Sequence, residues 1–517
     1  MVSLRVPRAG VTVHQCGLQS SGIGGFYTPP MSLIPSSRVD RRNFLGLSAA
    51  GLATTMVSGA SGSMHRPVRR GEPSRARNVI FMVSDGMSFS TLSMGHMLRQ
   101  VRDQRESHWS RLWMMPGSRR AICTTHSADS HVTDSAAAAS AWGIGEKLNN
   151  DAVNVTTDGR TPTPILVHAA QNGKMTGLVT TARVTHATPA GFSANSPKRS
   201  FEDAIAAQHL DRRIDVILGG GGRHFPEALI AKHSDLRVVR KASELDAAQQ
   251  GAARSGRLLG LFANNHVPYA LDRGPEVPSL SVMTQAALER LERGPEGFVL
   301  QIEGARIDHA AHDNDAFGLL TEQVDFDDAI GTVLKWMEGR DDTLLIVTTD
   351  HGNANPGLTI YGPQGKEAFA RIAKASHSFE WIWGQLESKQ AIKDPGALAT
   401  HLPGIVTQAT GIEITPAELD QVARSMKGER VHPFDAMMGK PFNTLGGVLA
   451  NYCGVAFMSP SHTSDMVELT AIGPGSQLVP PMVDNTALHQ VMVQSLNLAP
   501  AKPVQIGELS GPPPKPD

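Results

Sequence analysis

Four short segments bring carboxylates and imidazoles to the ends of apolar runs. Asp350-His351 directly follows Leu344-Leu345-Ile346-Val347-Thr348-Thr349. Glu303, Asp308 and His312 follow the run 298–302 in the same manner, and Asp85 follows the run 79–83. His462 lies in Ser461-His462-Thr463, just ahead of the run 466–472. Side chains at strand ends can turn into one cleft, and mixed carboxylate and imidazole sets suit borderline divalent ions, zinc foremost. A single such Asp or His is more often a structural or surface residue. Four clusters in one chain point instead to a metal centre. A fifth segment, Val132-Thr133-Asp134-Ser135 ahead of an alanine run, reads as a helix N-terminus. Ser135 would stand where unpaired backbone N–H groups and the helix dipole favour an anion. A serine hydroxyl is a poor nucleophile at neutral pH and needs a base or a metal to hold its alkoxide form. Without the metal-type clusters the same segment would be an ordinary helix cap.

These segments need a scaffold that presents them together. Runs rich in β-branched residues recur at 78–83, 176–181, 215–218, 258–262, 297–302 and 343–348. Helix-like stretches lie between them, for example 279–293 and roughly 312–337. This alternation predicts an α/β fold with a largely parallel central sheet flanked by helices. In such folds ligands sit off the carboxyl ends of the strands, where Asp85, Glu303 and Asp350 fall. Residues 363–450 differ, with helical patterns at 366–374 and 416–426 and few strand runs. They are expected to form a mainly helical inserted subdomain. Gly219-Gly220-Gly221-Gly222 follows a strand but lacks the Lys-Ser/Thr of a P-loop and the spacing of a dinucleotide fingerprint, so it reads as a turn. No Gly-x-Ser-x-Gly elbow surrounds Ser135, which disfavours a hydrolase triad.

The chain has 517 residues, with Lys+Arg 48 against Asp+Glu 49 and a net charge of -1. That length calls for one large core or a few domains. Near-zero charge argues against a binder that works by neutralising nucleic-acid phosphates, and Tyr 4 with 5% aromatic residues offers no stacking platform for bases. The three cysteines cannot build a disulfide framework; Cys123 and Cys453 either pair or stay as buried thiols. Arg41-Arg42-Asn43-Phe44-Leu45 opens an apolar run reaching about Val57, and Ser58-Gly59-Ala60 offers small residues for cleavage. The run is about 14 residues, too short to span a bilayer. We read residues 1–60 as a twin-arginine export leader that takes Cys16 with it, with Met31 as an alternative start. A Gly/Ser/Arg/Pro-rich linker follows at 61–77, the catalytic domain would run over 78–500, and 501–517 form a Pro-rich tail. No other segment approaches transmembrane length, so the mature protein is expected free in the periplasm or secreted.

Taken together, these motifs resemble the alkaline phosphatase family over about residues 78–475. Ser84-Asp85-Gly86-Met87 looks like its first metal-binding segment, and Val132-Thr133-Asp134-Ser135-Ala136-Ala137 like the signature around its phosphorylated serine. Thr185-His186-Ala187-Thr188-Pro189-Ala190 is similar to its magnesium segment. Glu303-Gly304-Ala305-Arg306-Ile307-Asp308-His309 with His312, Thr349-Asp350-His351-Gly352, and His462-Thr463 complete the set. The resemblance implies a homodimer that hydrolyses phosphate monoesters, with Ser135 as nucleophile. It implies one zinc at Asp308, His312 and His462, and a second at Asp350, His351 and Asp85. It implies a magnesium at Asp85, Glu303 and Thr188. Arg199, eleven residues after Thr188, would clamp the phosphate, oriented by Asp134. Two metals can serve the entering and leaving oxygens of an in-line displacement.

His186 stands where enterobacterial members carry Asp and animal members carry His, and His309 follows the second pattern too. An imidazole suits zinc better than magnesium, so the third ion is open between the two, with His186 as a direct ligand or a neighbour. Insertions such as 363–450 form a crown or lid in this family. Rival readings are a phosphodiesterase or sulfatase of the same superfamily, or a non-catalytic phosphate-binding protein on this scaffold. Asp134-Ser135-Ala136 speaks against the first, and the full ligand set against the second.

Overall fold

Val79, Ile80, Phe81, Met82 and Val83 are all fully buried. A short unbroken run rich in β-branched residues and buried throughout fits a strand covered on both faces. The run forms β1 (Asn78–Ser84) at the middle of a ten-stranded sheet. The computed structural model describes residues 75–250, 256–392, 394–431 and 440–503. The proposed leader, Cys16, most of the linker and the tail beyond residue 503 lie outside these residues.

The other strands are β2 (Arg119–Thr124), β3 (Met175–Arg183), β4 (Val216–Gly220), β5 (Leu236–Val239), β6 (Arg257–Leu261), β7 (Phe298–Gly304) and β8 (Thr343–Thr348). Two-residue strands β9 (Gly352–Asn353), β10 (Gly357–Leu358), β11 (Val455–Ala456) and β12 (His462–Thr463) precede β13 (Val467–Ile472) and β14 (Met482–Asp484). The large sheet has the order β14-β2-β13-β8-β1-β7-β3-β4-β6-β5. β13 alone runs against its neighbours β2 and β8; every other pairing in this sheet is parallel. The expected α/β architecture is therefore present, with helices packed on both faces.

Alternation along the strands separates two cores. Ile80 and Met82 of β1, Leu300 and Ile302 of β7, and Leu345 and Val347 of β8 belong to one apolar cluster. Val79, Phe81, Val299, Leu344 and Ile346 belong to the other. Cys123 lies in the second cluster and Cys453 in the first; both are buried free thiols. The sheet stands between them, so the pairing considered from sequence does not form. Residues 363–450 carry the helices Gly362–Ala370, Phe379–Ser388, Pro395–Thr410 and Pro416–Met426, and Pro441–Cys453 begins there. Their apolar residues, Phe369, Ile382, Leu402 and Leu449 among them, join the first cluster.

One predicted element is corrected. The stretch 312–337 is not one helix: His312 ends the helix Arg306–His312, and a second helix spans Ala316–Trp336. Asn314 turns left-handed at φ 53°, and Asp315 caps the new helix by accepting from the Phe317 and Gly318 backbone N–H groups. The break frees the imidazole of His312 from a continuous helical face. Among the described residues no helix is long and apolar enough to cross a membrane.

Candidate functional site

The parallel strands deliver their carboxyl ends to one edge of the sheet. Asp85 follows β1, Glu303 is the penultimate residue of β7, and Asp350 lies two residues beyond β8. β13 is antiparallel, so the segment ahead of it reaches the same edge, which is why His462 precedes its strand. The two-residue ladder of β9 with β12 pairs His462 with Asn353 and Thr463 with Gly352. That ladder ties the His351 and His462 segments together, and the two rings stack with centroids 3.6 Å apart. Sequence reasoning missed it because two residues carry no periodicity.

Three sets of side chains offer ligand atoms within 4.8 Å of one another: Asp308, His312 and His462; Asp85, Asp350 and His351; and Asp85, His186 and Glu303. In the first, His312 Nδ1 donates to the Pro460 carbonyl at 2.6 Å and His462 Nδ1 to the Thr133 carbonyl at 2.9 Å. Both Nε2 atoms are thereby turned inward, 3.1 Å apart and 3.3 and 3.5 Å from the Asp308 oxygens. Such outer hydrogen bonds orient ligating imidazoles. Asn353 adds a bond of 2.6 Å from its Nδ2 to Asp308 Oδ1. In the second set, His351 Nε2 stands 3.1 Å from Asp350 Oδ2 and 3.8 Å from Asp85 Oδ1.

Whether these residues fit metal ions can be judged from their unpaired atoms. Both oxygens of Asp85, Glu303 Oε1, Asp350 Oδ2, Thr188 Oγ1, and the Nδ1 atoms of His186 and His351 are buried without a hydrogen-bond partner. A buried carboxylate left unpaired costs several kcal/mol or more, so neutralisation by a cation is the physical expectation. Burial and the neighbouring Asp350, Asp308 and Glu303 carboxylates push Asp85 well above the usual carboxylate range. Burial likewise pushes Glu303 up to about 7. In the first set, burial opposes charge on His312, but Asp308 outweighs it and raises the imidazole to about 9. The carboxyl of Asp308 is held well below its usual range because His312 and His462 outweigh burial. The donor chemistry, oxygen-rich around Glu303 and Thr188 and imidazole-rich around His312 and His462, fits hard and borderline ions respectively.

Ser135 opens the helix Ser135–Ile144, capped by Asp134, whose Oδ1 accepts from Ala137 N at 2.9 Å. Its hydroxyl lies 3.3 Å from His351 Nε2, against the second set. The alanine run that follows has a packing purpose. A Cβ on Gly191 would sit 2.6 Å from the Ala139 Cβ, so only small residues let this helix meet the helix Ala187–Ser193, which carries Thr188. The other oxygen of Asp134 accepts from Arg199 Nη1 at 2.9 Å and from Asp151 N at 3.1 Å. Arg199 Nη2 lies 3.3 Å from His186 Nε2. The spacing argument for Arg199 thus leads to the residue that Asp134 holds. All twelve residues singled out from sequence converge on one cleft.

The sequence did not reveal several partners. Thr180 Oγ1 donates to Glu303 Oε2 at 2.5 Å, and the ring of His266 joins the already noted His309 against His186, at 5.5 and 5.6 Å. Asn265-His266 sits in a loop without a motif; only its place after β6, at the same sheet edge, could have pointed to it. Gly86 is also required: its φ of +67° is left-handed, and a Cβ there would meet Asp308 Oδ1 at 2.5 Å.

Residues 76–498 match the sequence profile of the family described as alkaline phosphatase. Alkaline phosphatase 4 of Bacillus subtilis is 30% identical over 441 residues, spanning 83% of this chain and 90% of its own length. Streptomycin-6-phosphate phosphatase of Streptomyces griseus is 34% identical over 428 residues, 69% of this chain and 88% of its own. The crystal structure of Thermus thermophilus alkaline phosphatase superimposes with a TM-score of 0.75 at 32% identity, covering 86% of this chain and 98% of that one.

Proposed function

Because the chain belongs to the alkaline phosphatase family and is an enzyme of it, we propose that it hydrolyses phosphate monoesters through a phosphoserine at Ser135. The observation that carries this reading is the Ser135 hydroxyl at a capped helix N-terminus, 3.3 Å from His351 and beside three ligand sets. In the proposed assignment zinc is held by Asp308, His312 and His462, and a second zinc by Asp85, Asp350 and His351. Magnesium, or zinc in its place, is held by Asp85, Glu303 and Thr188, with His186 beside it. When bound, these ions supply positive charge that lowers the pKa of the serine and stabilises the entering and leaving oxygens.

The remaining work falls to the chain. The Ser135 oxygen attacks phosphorus in line, and the bond to the leaving oxygen breaks. The backbone N–H groups of the first helical turn face the incoming charge. Arg199, fixed by Asp134, makes paired hydrogen bonds to two phosphoryl oxygens. Water then cleaves the phosphoserine from the vacated side and restores the hydroxyl. A homodimer, twin-arginine export to the periplasm or medium, and a lid role for 363–450 complete the proposal.

The test is Ser135→Ala with aryl phosphate as substrate. We expect kcat to fall by several orders of magnitude, because the covalent step is lost. The unfolding midpoint should be little changed. Near-wild-type turnover would remove Ser135 from the mechanism. Faster hydrolysis of a bis-aryl phosphate or an aryl sulfate than of the aryl monophosphate would overturn the substrate class.

A further inference from the structure

Two contacts join the helical stretch 363–450 to the cleft: Asn443 Nδ2 donates to the His312 carbonyl at 3.0 Å, and a longer run passes through Arg306. Arg306 opens the helix that carries Asp308, His309 and His312, and it is only 3% exposed. Its guanidinium lies over the ring of Tyr269, 3.7 Å from the centroid. Its Nη2 pairs with Glu380, on the helix Phe379–Ser388. Its Nη1 lies 2.9 Å from His309 Nδ1. An arginine can only donate, so Nδ1 must supply the lone pair and the His309 proton sits on Nε2. The rings of His266 and His186 meet His309 edge-on, 4.3 and 5.6 Å between centroids, and hold its plane.

The same arrangement recurs twice nearby. Glu202 holds Arg183, whose Nη1 faces His266 Nε2. Asp134 holds Arg199, whose Nη2 faces His186 Nε2. Each imidazole has one nitrogen facing a guanidinium that a carboxylate holds. Of the three carboxylates, Glu380 alone comes from residues 363–450, and its side chain is 60% exposed. A surface carboxylate thus reaches a cleft imidazole through one buried arginine.

We propose that Arg306, held by Glu380, is a positioning residue that fixes His309 as an Nε2–H donor to a phosphoryl oxygen of the substrate. Through this side chain the helical stretch 363–450 bears on the orientation of His309. The inference rests on the phosphomonoesterase reading. A planar guanidinium can bridge a carboxylate and a ring nitrogen at a fixed angle, whereas a lysine ammonium on a flexible stem cannot hold both in register.

The experiment is a double-mutant cycle on the metal-loaded enzyme with aryl phosphate, reading kcat and KM separately. Glu380→Gln should lower kcat/KM about threefold to tenfold, the worth of a loosened hydrogen bond, with an unchanged unfolding midpoint and zinc content. His309→Leu should lower it about tenfold, and the double variant no further, because both changes remove the same donor. Arg306→Lys should match Glu380→Gln. His309→Gln, which keeps an amide donor near the Nε2 position, should lose less than His309→Leu and be indifferent to Glu380→Gln. An unchanged Glu380→Gln enzyme, or a Glu380→Gln loss that persists in full beside His309→Leu, overturns the proposal. A wild type without phosphatase activity overturns the phosphomonoesterase reading, and this proposal with it.

Discussion

Asp134 does two jobs with two oxygens, and replacing it separates them. Oδ1 accepts from Ala137 N at 2.9 Å and caps the helix of Ser135. Oδ2 accepts from Arg199 Nη1 at 2.9 Å and from Asp151 N at 3.1 Å. Asp134→Ala removes a cap worth about 1 kcal/mol. It also removes charge-assisted bonds worth about 1.5–3 kcal/mol in a pair that is mostly buried. The stability loss should therefore be about 2.5–4 kcal/mol. Asp134→Asn has one acceptor oxygen and one donor amide. With its oxygen on Ala137 N it keeps the cap and sets a donor against the guanidinium, which cannot accept. Stability should then fall by about half as much as in the alanine variant. Both variants should lose about tenfold to a hundredfold in kcat/KM, equivalent to about 1.4–2.8 kcal/mol, because Arg199 is no longer aimed. Urea unfolding and steady-state kinetics on aryl phosphate measure both quantities. An asparagine variant with wild-type kcat/KM would refute the reasoning: the Asp134 charge would not be orienting Arg199.

Three further outcomes are expected. Zinc added to metal-free protein at about pH 7.5 should release a proton from His312. Burial lowers that imidazole, but Asp308 outweighs it and raises it to about 9, so it is protonated there and must be neutral to ligate. Affinity at that set should accordingly rise about tenfold per pH unit below this value, and flat affinity across neutral pH in a pH-stat titration would refute the assignment. His186→Asp should move half-activation to lower magnesium at saturating zinc, since a carboxylate attracts the hard ion and its waters, while the imidazole nitrogen facing Arg199 is already engaged; an unmoved midpoint places His186 outside the ion's surroundings. Lys at both Arg41 and Arg42 should strand the precursor in the cytoplasm, and unchanged periplasmic activity would point to another export route.

The central strands were legible because they are buried on both faces. The runs at 78–83, 297–302 and 343–348 became β1, β7 and β8, with β1 between the other two and every residue of the three strands buried. The missed strands lie toward the edges of the sheet. β2 reads Arg-Arg-Ala-Ile-Cys-Thr with only Ala121 and Cys123 buried, and β5 is the four residues Leu-Arg-Val-Val at the far edge. Half-covered strands need few apolar residues, so their sequences do not stand out. The candidate ligand residues were legible for a different reason: Asp, Glu and His at the ends of apolar runs have no packing explanation. Arg306, His266 and Glu380 were not, because each is an ordinary surface-type residue until the fold buries or surrounds it.

The close approach of the segments explains why the ligand sets cannot be shifted independently. Gly86 follows Asp85, and its backbone N–H donates to Asp350 Oδ1 at 3.0 Å. On its other side a Cβ would strike Asp308 Oδ1 at 2.5 Å. Asp85 and Asp350 serve the second set and Asp308 the first, so one left-handed glycine fixes the separation of the two sets. Gly352 plays the matching part beside His351: a Cβ there would meet Thr463 Oγ1 at 2.6 Å, on the segment that carries His462. An in-line displacement needs its entering and leaving oxygens at a set distance on opposite sides of phosphorus. Under the proposed mechanism, two backbone positions where a Cβ would clash help to set that distance. The ligands themselves come from strand ends whose own positions are held by two buried cores.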